Sequence, residues 1–89
     1  MSKLFFFFFI CEKVGRAEWQ SMKVGDVRIY TLPDERAKEA ARVAAQDVKK
    51  NDHYEFQRYF EQDLRQLLGG DFDAVVPNMD TTVAFKRIK

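Results

Sequence analysis

An apolar stretch near the start of the sequence, Leu4 to Cys11, contains five consecutive phenylalanines, Phe5 to Phe9. Alternate side chains of a strand point to opposite faces, so a strand over Lys3 to Lys13 needs cover on both sides. Adjacent bulky aromatic side chains favour an extended backbone over a helix, in which they would crowd one another. We therefore predict that this stretch forms the first strand and contributes to the core.

Two further strands are predicted before the first proline. Residues 18–24 alternate weakly, with Trp19, Ser21 and Lys23 on one side, and residues 27–32 alternate more clearly. Turn residues separate these segments at Val14 to Arg16 and at Gly25-Asp26. The pattern predicts an antiparallel meander of three strands.

Two helices are predicted next. Pro33 suits a first helical turn, and helix one is expected to run to about Lys50, with Thr31 as candidate N-cap and Asn51 as left-handed stop. Helix two is expected from Asp52 to the Gly69-Gly70 pair. Its apolar side chains recur at helical spacing: Phe56, Tyr59, Phe60, Leu64, Leu67 and Leu68.

The last segment predicts a short strand over Phe72 to Val76, a turn through Pro77 to Asp80, and a final strand over Thr81 to Ile88. The element order is then β-β-β-α-α-β-β. We expect one α+β domain over residues 1–89, in which a helical hairpin packs on one face of a small antiparallel sheet.

This architecture leaves the first strand with one uncovered apolar face. Either another subunit covers that face, or the stretch from Gly15 to Gly25 folds back and places Trp19 and Met22 over it. The two alternatives differ in oligomeric state.

Composition narrows the function classes. A hydrophobic fraction of 46% with 33% charged residues is ordinary for a globular domain, and the net charge of +1 argues against a general nucleic-acid binder. Local basic groups are expected to be solvated: Lys49, Lys50, His53, Arg58, Lys86, Arg87 and Lys89.

The N-terminal sequence resembles a secretion signal in having Lys3 before an apolar run. Glu12 and Lys13 follow directly, and the run is far shorter than the ~20 residues of a membrane span, so we expect neither signal nor membrane anchor. A single cysteine, Cys11, excludes an intramolecular disulfide. We expect a cytoplasmic protein.

Sequence signatures of catalysis, cofactor binding and metal binding are missing, and we expect a non-enzymatic protein with no cofactor. Asp71, Asp73 and Asp80 are interpreted as turn residues rather than metal ligands. Asp63 is unusual because helical spacing places it within the apolar stripe of helix two. A structural partner such as Arg28, or a contact to another protein, would explain it.

The sequence therefore predicts a protein-binding module, a regulator or inhibitor that forms a homodimer. The candidate partner-binding residues are Phe5, Phe7, Phe9, Trp19, Tyr30 and Asp63. The first alternative is a nucleic-acid-binding module in which Trp19, Tyr30 and Tyr54 stack on bases. The second is a small enzyme whose site forms between subunits.

Overall fold

A computed structural model describes residues 6–89 and shows a four-stranded sheet with helices on both faces, which confirms the α+β class. The strands are β1 (Phe6–Ile10), β2 (Val27–Thr31), β3 (Phe56–Arg58) and β4 (Thr82–Arg87). The helices are α1 (Arg16–Gln20), α2 (Glu35–Asp52), α3 (Glu61–Leu68) and α4 (Phe72–Val75). Single 3₁₀ turns cover Gly69–Asp71 and Met79–Thr81.

The sheet is mixed rather than wholly antiparallel. Its order is β1-β2-β4-β3; β1 and β2 run parallel, and β4 is antiparallel to both β2 and β3. A parallel neighbour requires a crossover rather than a hairpin, and α1 lies in that connection. The predicted meander of three strands is therefore corrected to a β1-α1-β2 unit.

Helix α1 replaces the predicted second strand over residues 18–24. The Glu18 carboxylate accepts a hydrogen bond from the Gly15 backbone N–H at 2.8 Å and so stabilises the first turn. Burial of Trp19, which is 0% exposed, fixes the helix against the sheet. Five residues are too few for the helical period to show in the sequence.

Helix α2 confirms the predicted helix one, with different end residues. Asp34, not Thr31, is the N-cap, and its carboxylate accepts from the Ala37 N–H at 2.8 Å. At the other end His53, rather than Asn51, takes the left-handed conformation with φ of 62°.

The predicted helix two, Asp52 to Leu68, is two elements in the structure. Residues 56–58 form β3, because this segment pairs with β4 and packs Phe56 against the core, and a helix begins only at Glu61. Farther along, the predicted strand over Phe72 to Val76 is the short helix α4. The predicted final strand is confirmed as β4.

The core lies on both faces of the central strands, β2 and β4. Neighbouring residues Ile29 and Tyr30 face opposite sides, as strand geometry requires. Helices α1 and α2 cover the Tyr30 side, and α3 with α4 covers the Ile29 side. The predicted hairpin on one face is corrected accordingly.

The segment between Gly15 and Gly25 does fold back over the sheet. Trp19 and Met22 are fully buried there, in one cluster with Tyr30 and Phe85. They cover β2 and β4 and leave the outer strand β1 exposed.

Candidate functional site

The exposed strand β1 is the main candidate site. It lies at one edge of the sheet, and within residues 6–89 its outer edge pairs with no strand. Phe7, Phe8, Phe9 and Ile10 are 45%, 54%, 43% and 85% exposed. We call Phe6–Ile10 with its outer edge the phenylalanine edge. An exposed apolar edge strand without charges is a template for pairing with another chain.

The side chains of the phenylalanine edge lie beside the buried side chains of β2 on both faces of the sheet. Phe8 is level with Ile29 and Phe9 with Tyr30 in the parallel register. The Phe9 and Tyr30 rings stack with centroids 5.3 Å apart, and those of Phe6 and Phe8 lie 6.4 Å apart. The first contact holds the Phe9 ring against β2, and the second lies within β1 itself, while Phe8 and Phe9 remain 54% and 43% exposed.

One hydrogen bond establishes which backbone groups of β1 point toward the outer edge. The Cys11 N–H donates to the Thr31 carbonyl at 3.1 Å, so residue 11 points toward β2. Successive residues of a strand direct their N–H and C=O to alternate edges. Residues 7 and 9 therefore also face β2, whereas Phe6, Phe8 and Ile10 present theirs on the outer edge.

The six predicted partner-binding residues do not form one surface. Phe7 and Phe9 lie on the phenylalanine edge, and Phe5 falls outside the described residues. Trp19 and Tyr30 are buried in the core and present no free ring face. Asp63 lies on α3. The prediction missed Phe8 and Ile10 because it assigned their side of the strand to the helices.

Trp19 and Tyr30 act in the structure as core anchors. The Trp19 indole Nε1–H donates to the Ala41 carbonyl at 2.9 Å, and its ring meets that of Tyr30 edge to face at 5.0 Å. Arg28 ties the same region together by donating to the Glu18 carbonyl, Ser21 Oγ and Tyr30 Oη. Burial raises the pKa of the Tyr30 hydroxyl, and the Arg28 hydrogen bond opposes that rise.

Asp63 has a structural partner, although it is not Arg28. Its Oδ2 accepts a hydrogen bond from the Phe60 backbone N–H at 2.8 Å, which closes the first turn of α3. Of the two explanations offered from the sequence, the structure supplies the first, a structural partner, in the form of a backbone donor. The predicted helix two begins at Asp52, and its spacing therefore placed Asp63 within an apolar stripe. Because α3 begins only at Glu61, Asp63 lies in its first turn instead.

A second candidate site is a cationic cavity of about 230 Å³ between α2 and β3. Arg42, Lys49 and Arg58 supply its positive charge, and the remaining lining residues are Ala45, Gln46, Phe56 and Phe85. Glu39 pairs with Arg42, and this hydrogen bond lowers the pKa of the Glu39 carboxyl. Beside the cavity, the Arg58 guanidinium lies 4.9 Å from the centroid of Phe60, a ring that is 58% exposed.

The aromatic residues expected for base stacking are not available for it. Besides the buried Trp19 and Tyr30, the Tyr54 ring is covered by the Arg87 guanidinium at 3.6 Å. Arg87 also donates to the Met22 carbonyl at 2.7 Å, so this basic residue of the C-terminal segment has an intramolecular role. Phe60 is the exposed aromatic ring next to basic groups.

Within the described part of the chain, no three His, Cys, Asp or Glu side chains are placed so that they could hold a metal ion. None of the helices described there has the length and apolar character to cross a membrane.

Comparisons with known proteins yield no family model, no curated protein and no solved structure that matches this chain.

Proposed function

We propose that this chain is a small, non-enzymatic protein-binding module that acts through the phenylalanine edge. The observation that supports the proposal is a strand whose outer edge has no pairing strand within residues 6–89 and whose four large apolar side chains are between 43% and 85% exposed. An additional strand would satisfy the outward N–H and C=O groups and remove this surface from water.

We propose that the chain binds a second copy of itself when no other partner is present. The phenylalanine edge contains no charged side chain, so two copies meet without repulsion between like charges. Binding of another protein in the same way would make the module a regulator or inhibitor, since that partner would compete with self-association. The single cysteine accords with a reducing, cytoplasmic setting.

Light scattering of the purified protein tests the proposal. We expect a dimer that predominates at high micromolar concentration and is partly dissociated at low micromolar concentration. Phe8→Lys should shift the protein to monomer because a lysine on an edge strand opposes pairing. Phe8 is about half exposed, so this change should leave the melting temperature nearly unaltered.

The matched control is Val43→Lys, which places the same charge at another exposed apolar position, on α2. It should leave the oligomeric state unchanged. A wild-type protein that stays monomeric at high micromolar concentration, or a Phe8→Lys variant as oligomeric as the wild type, contradicts the proposal.

A second candidate function is supported by the cationic cavity. We propose that a single-stranded nucleic acid would stack a base on Phe60 and place phosphates near Arg58, Arg42 and Lys49. Three phosphate contacts on a single strand give a salt slope near −2, so affinity should fall about 20-fold from about 50 to 200 mM salt.

Titration of a labelled single-stranded oligonucleotide tests this second function. Phe60→Ala and Arg58→Ala should each weaken binding, and Lys89→Ala, in the exposed C-terminal segment, should not. An affinity that is unchanged in Phe60→Ala, or that does not fall as the salt concentration rises, contradicts the proposed base stacking and phosphate contacts. An equal loss with Lys89→Ala would indicate diffuse attraction to basic surface.

A further inference from the structure

The outward backbone groups of the phenylalanine edge are arranged symmetrically about one residue. Among the described residues, Phe6, Phe8 and Ile10 point outward, as the Cys11 to Thr31 hydrogen bond establishes, and Phe8 is the middle one of these three. In an antiparallel pair of identical strands related by a two-fold axis perpendicular to the sheet, the axis passes midway between one residue and its copy on the partner strand. An axis at Phe8 therefore pairs all three of these described outward positions.

We propose that two copies of the chain join β1 to β1 in antiparallel orientation with the two-fold axis at Phe8, which forms one continuous eight-stranded sheet. This inference rests on the proposed function and specifies its partner and register. Phe8 then exchanges hydrogen bonds with Phe8 of the partner subunit, and Phe6 exchanges them with the partner's Ile10. Every outward N–H and C=O of the described strand is satisfied.

Within the described strand, other registers pair fewer of these groups with one another. Moving the axis to Phe9 places Phe6 opposite Glu12 of the partner subunit, beyond the end of β1. Moving it to Phe7 places Ile10 opposite residue 4, outside the described strand. Only the Phe8 centre pairs the three outward residues of β1 with one another.

The side chains also fit this register. On one face Phe6, Phe8 and Ile10 of both copies form an uninterrupted apolar row, and on the other face Phe7 lies opposite the partner's Phe9. Directly opposed aromatic residues in antiparallel strands interact favourably. The contact contains no charged side chain that would lose its hydration.

The exposed area sets the strength of the contact. With about 200 Å² per large side chain, the exposed fractions of residues 7–10 provide about 450 Å² of apolar surface from each copy. The total of about 900 Å² is below the ~1,200 Å² at which standard interfaces begin and belongs to the weak, reversible class. We therefore expect a dimer that dissociates in the micromolar range.

Symmetric disulfide formation tests the register. In a background with Cys11→Ser, the variant Phe8→Cys places two cysteines in a hydrogen-bonded antiparallel pair with Cα atoms about 5.5 Å apart, which suits a disulfide. In Phe7→Cys or Phe9→Cys the two equivalent positions are diagonal neighbours, about 7–8 Å apart, which is too far for easy bridging.

Under mild oxidation Phe8→Cys should form the covalent dimer at least tenfold faster than either control variant. A dimer in light scattering that crosslinks faster through Phe7→Cys or Phe9→Cys overturns the register while the proposed function stands. Equal rates at the three positions indicate random collision and also overturn the register. Monomer in scattering with no crosslink overturns the inference and the proposed self-association together.

Discussion

At the scale of single residues, Asp63 shows how one carboxylate separates a strand from a helix. Its hydrogen bond to the Phe60 N–H stabilises the start of α3 three residues after β3 ends. Asp63→Ala removes that acceptor and should lower the free energy of unfolding by about 1 kcal/mol. Chemical denaturation measures this difference. Self-association should not change, since Asp63 follows the strand at the opposite edge of the sheet from β1.

The control for Asp63 is Gln62→Ala, an exposed position on the same helical turn. Its unfolding free energy should stay within about 0.5 kcal/mol of the wild type. If Asp63→Ala instead left stability unchanged and weakened association, Asp63 would contact a partner protein. That was the second explanation offered from the sequence.

The thiol of Cys11 gives a second prediction at this scale. Burial, and secondarily the Glu18 carboxylate, raises the pKa of the Cys11 thiol. Alkylation of the folded protein should therefore reach half its maximal rate above the pH of about 8.5 typical of a free thiol. The native state holds the proton more tightly, so stability should decline as pH rises above that value.

Iodoacetamide kinetics across a pH series measure the folded-state midpoint of Cys11. The same series in concentrated urea should restore the ordinary value. A folded-state midpoint below the denatured one would mean that an unrecognised positive charge, rather than burial, controls the thiol.

At the scale of elements, length and local end signals determined which parts the sequence predicted. Helix α2 is long, periodic and capped, and both its existence and approximate ends were predicted. Elements of three to five residues have little stability alone and form through tertiary contacts. The segment Tyr54 to Gln57 does alternate aromatic with polar residues, which is a short strand signal that the longer helical pattern obscured.

The candidate site was partly predictable for a similar reason. The phenylalanine run identified β1 as a strand with surplus apolar surface. The position of β1 at the edge depends on the pairing of β2 with β4. This pairing joins residues that are far apart in the sequence, such as Val27 and Lys86. The same long-range pairing buries Trp19 and Tyr30, which local alternation could not reveal.

Helix α1 offers a prediction of its own. Trp19→Phe removes the hydrogen bond to the Ala41 carbonyl and leaves unfilled volume between α1 and α2, and it should cost about 1–3 kcal/mol of stability. Urea denaturation measures the loss, and amide exchange should accelerate in residues 16–20. Phe60→Leu, a change at an exposed ring, serves as control and should have little effect. An unaltered unfolding midpoint for Trp19→Phe would show that α1 does not depend on this anchor.

At the scale of the whole molecule, the two edges of the sheet are unequal. β1 presents five apolar residues, whereas β3 at the other edge has three and includes Arg58. A contact between two β1 strands uses the same surface on both copies, so a dimer leaves no free β1 edge. A contact between β1 of one copy and β3 of the next would leave a free edge at each end, and further copies could add to form fibres. We expect assembly to stop at the dimer, and sedimentation velocity from micromolar to submillimolar concentration should show no larger species. Growth beyond the dimer would indicate that β3 also pairs.

The buried position of Trp19 has a practical consequence for optical measurements on this molecule. It is the single tryptophan of the sequence, and it is 0% exposed beside Tyr30 and Phe85. Its fluorescence emission should be blue-shifted in the native state and move to the red on unfolding. Because the indole is buried and its aromatic neighbours are Tyr30, Phe56 and Phe85 rather than rings of the phenylalanine edge, dilution through the dimer–monomer transition should leave the emission maximum constant. Folding can then be followed independently of assembly in one sample.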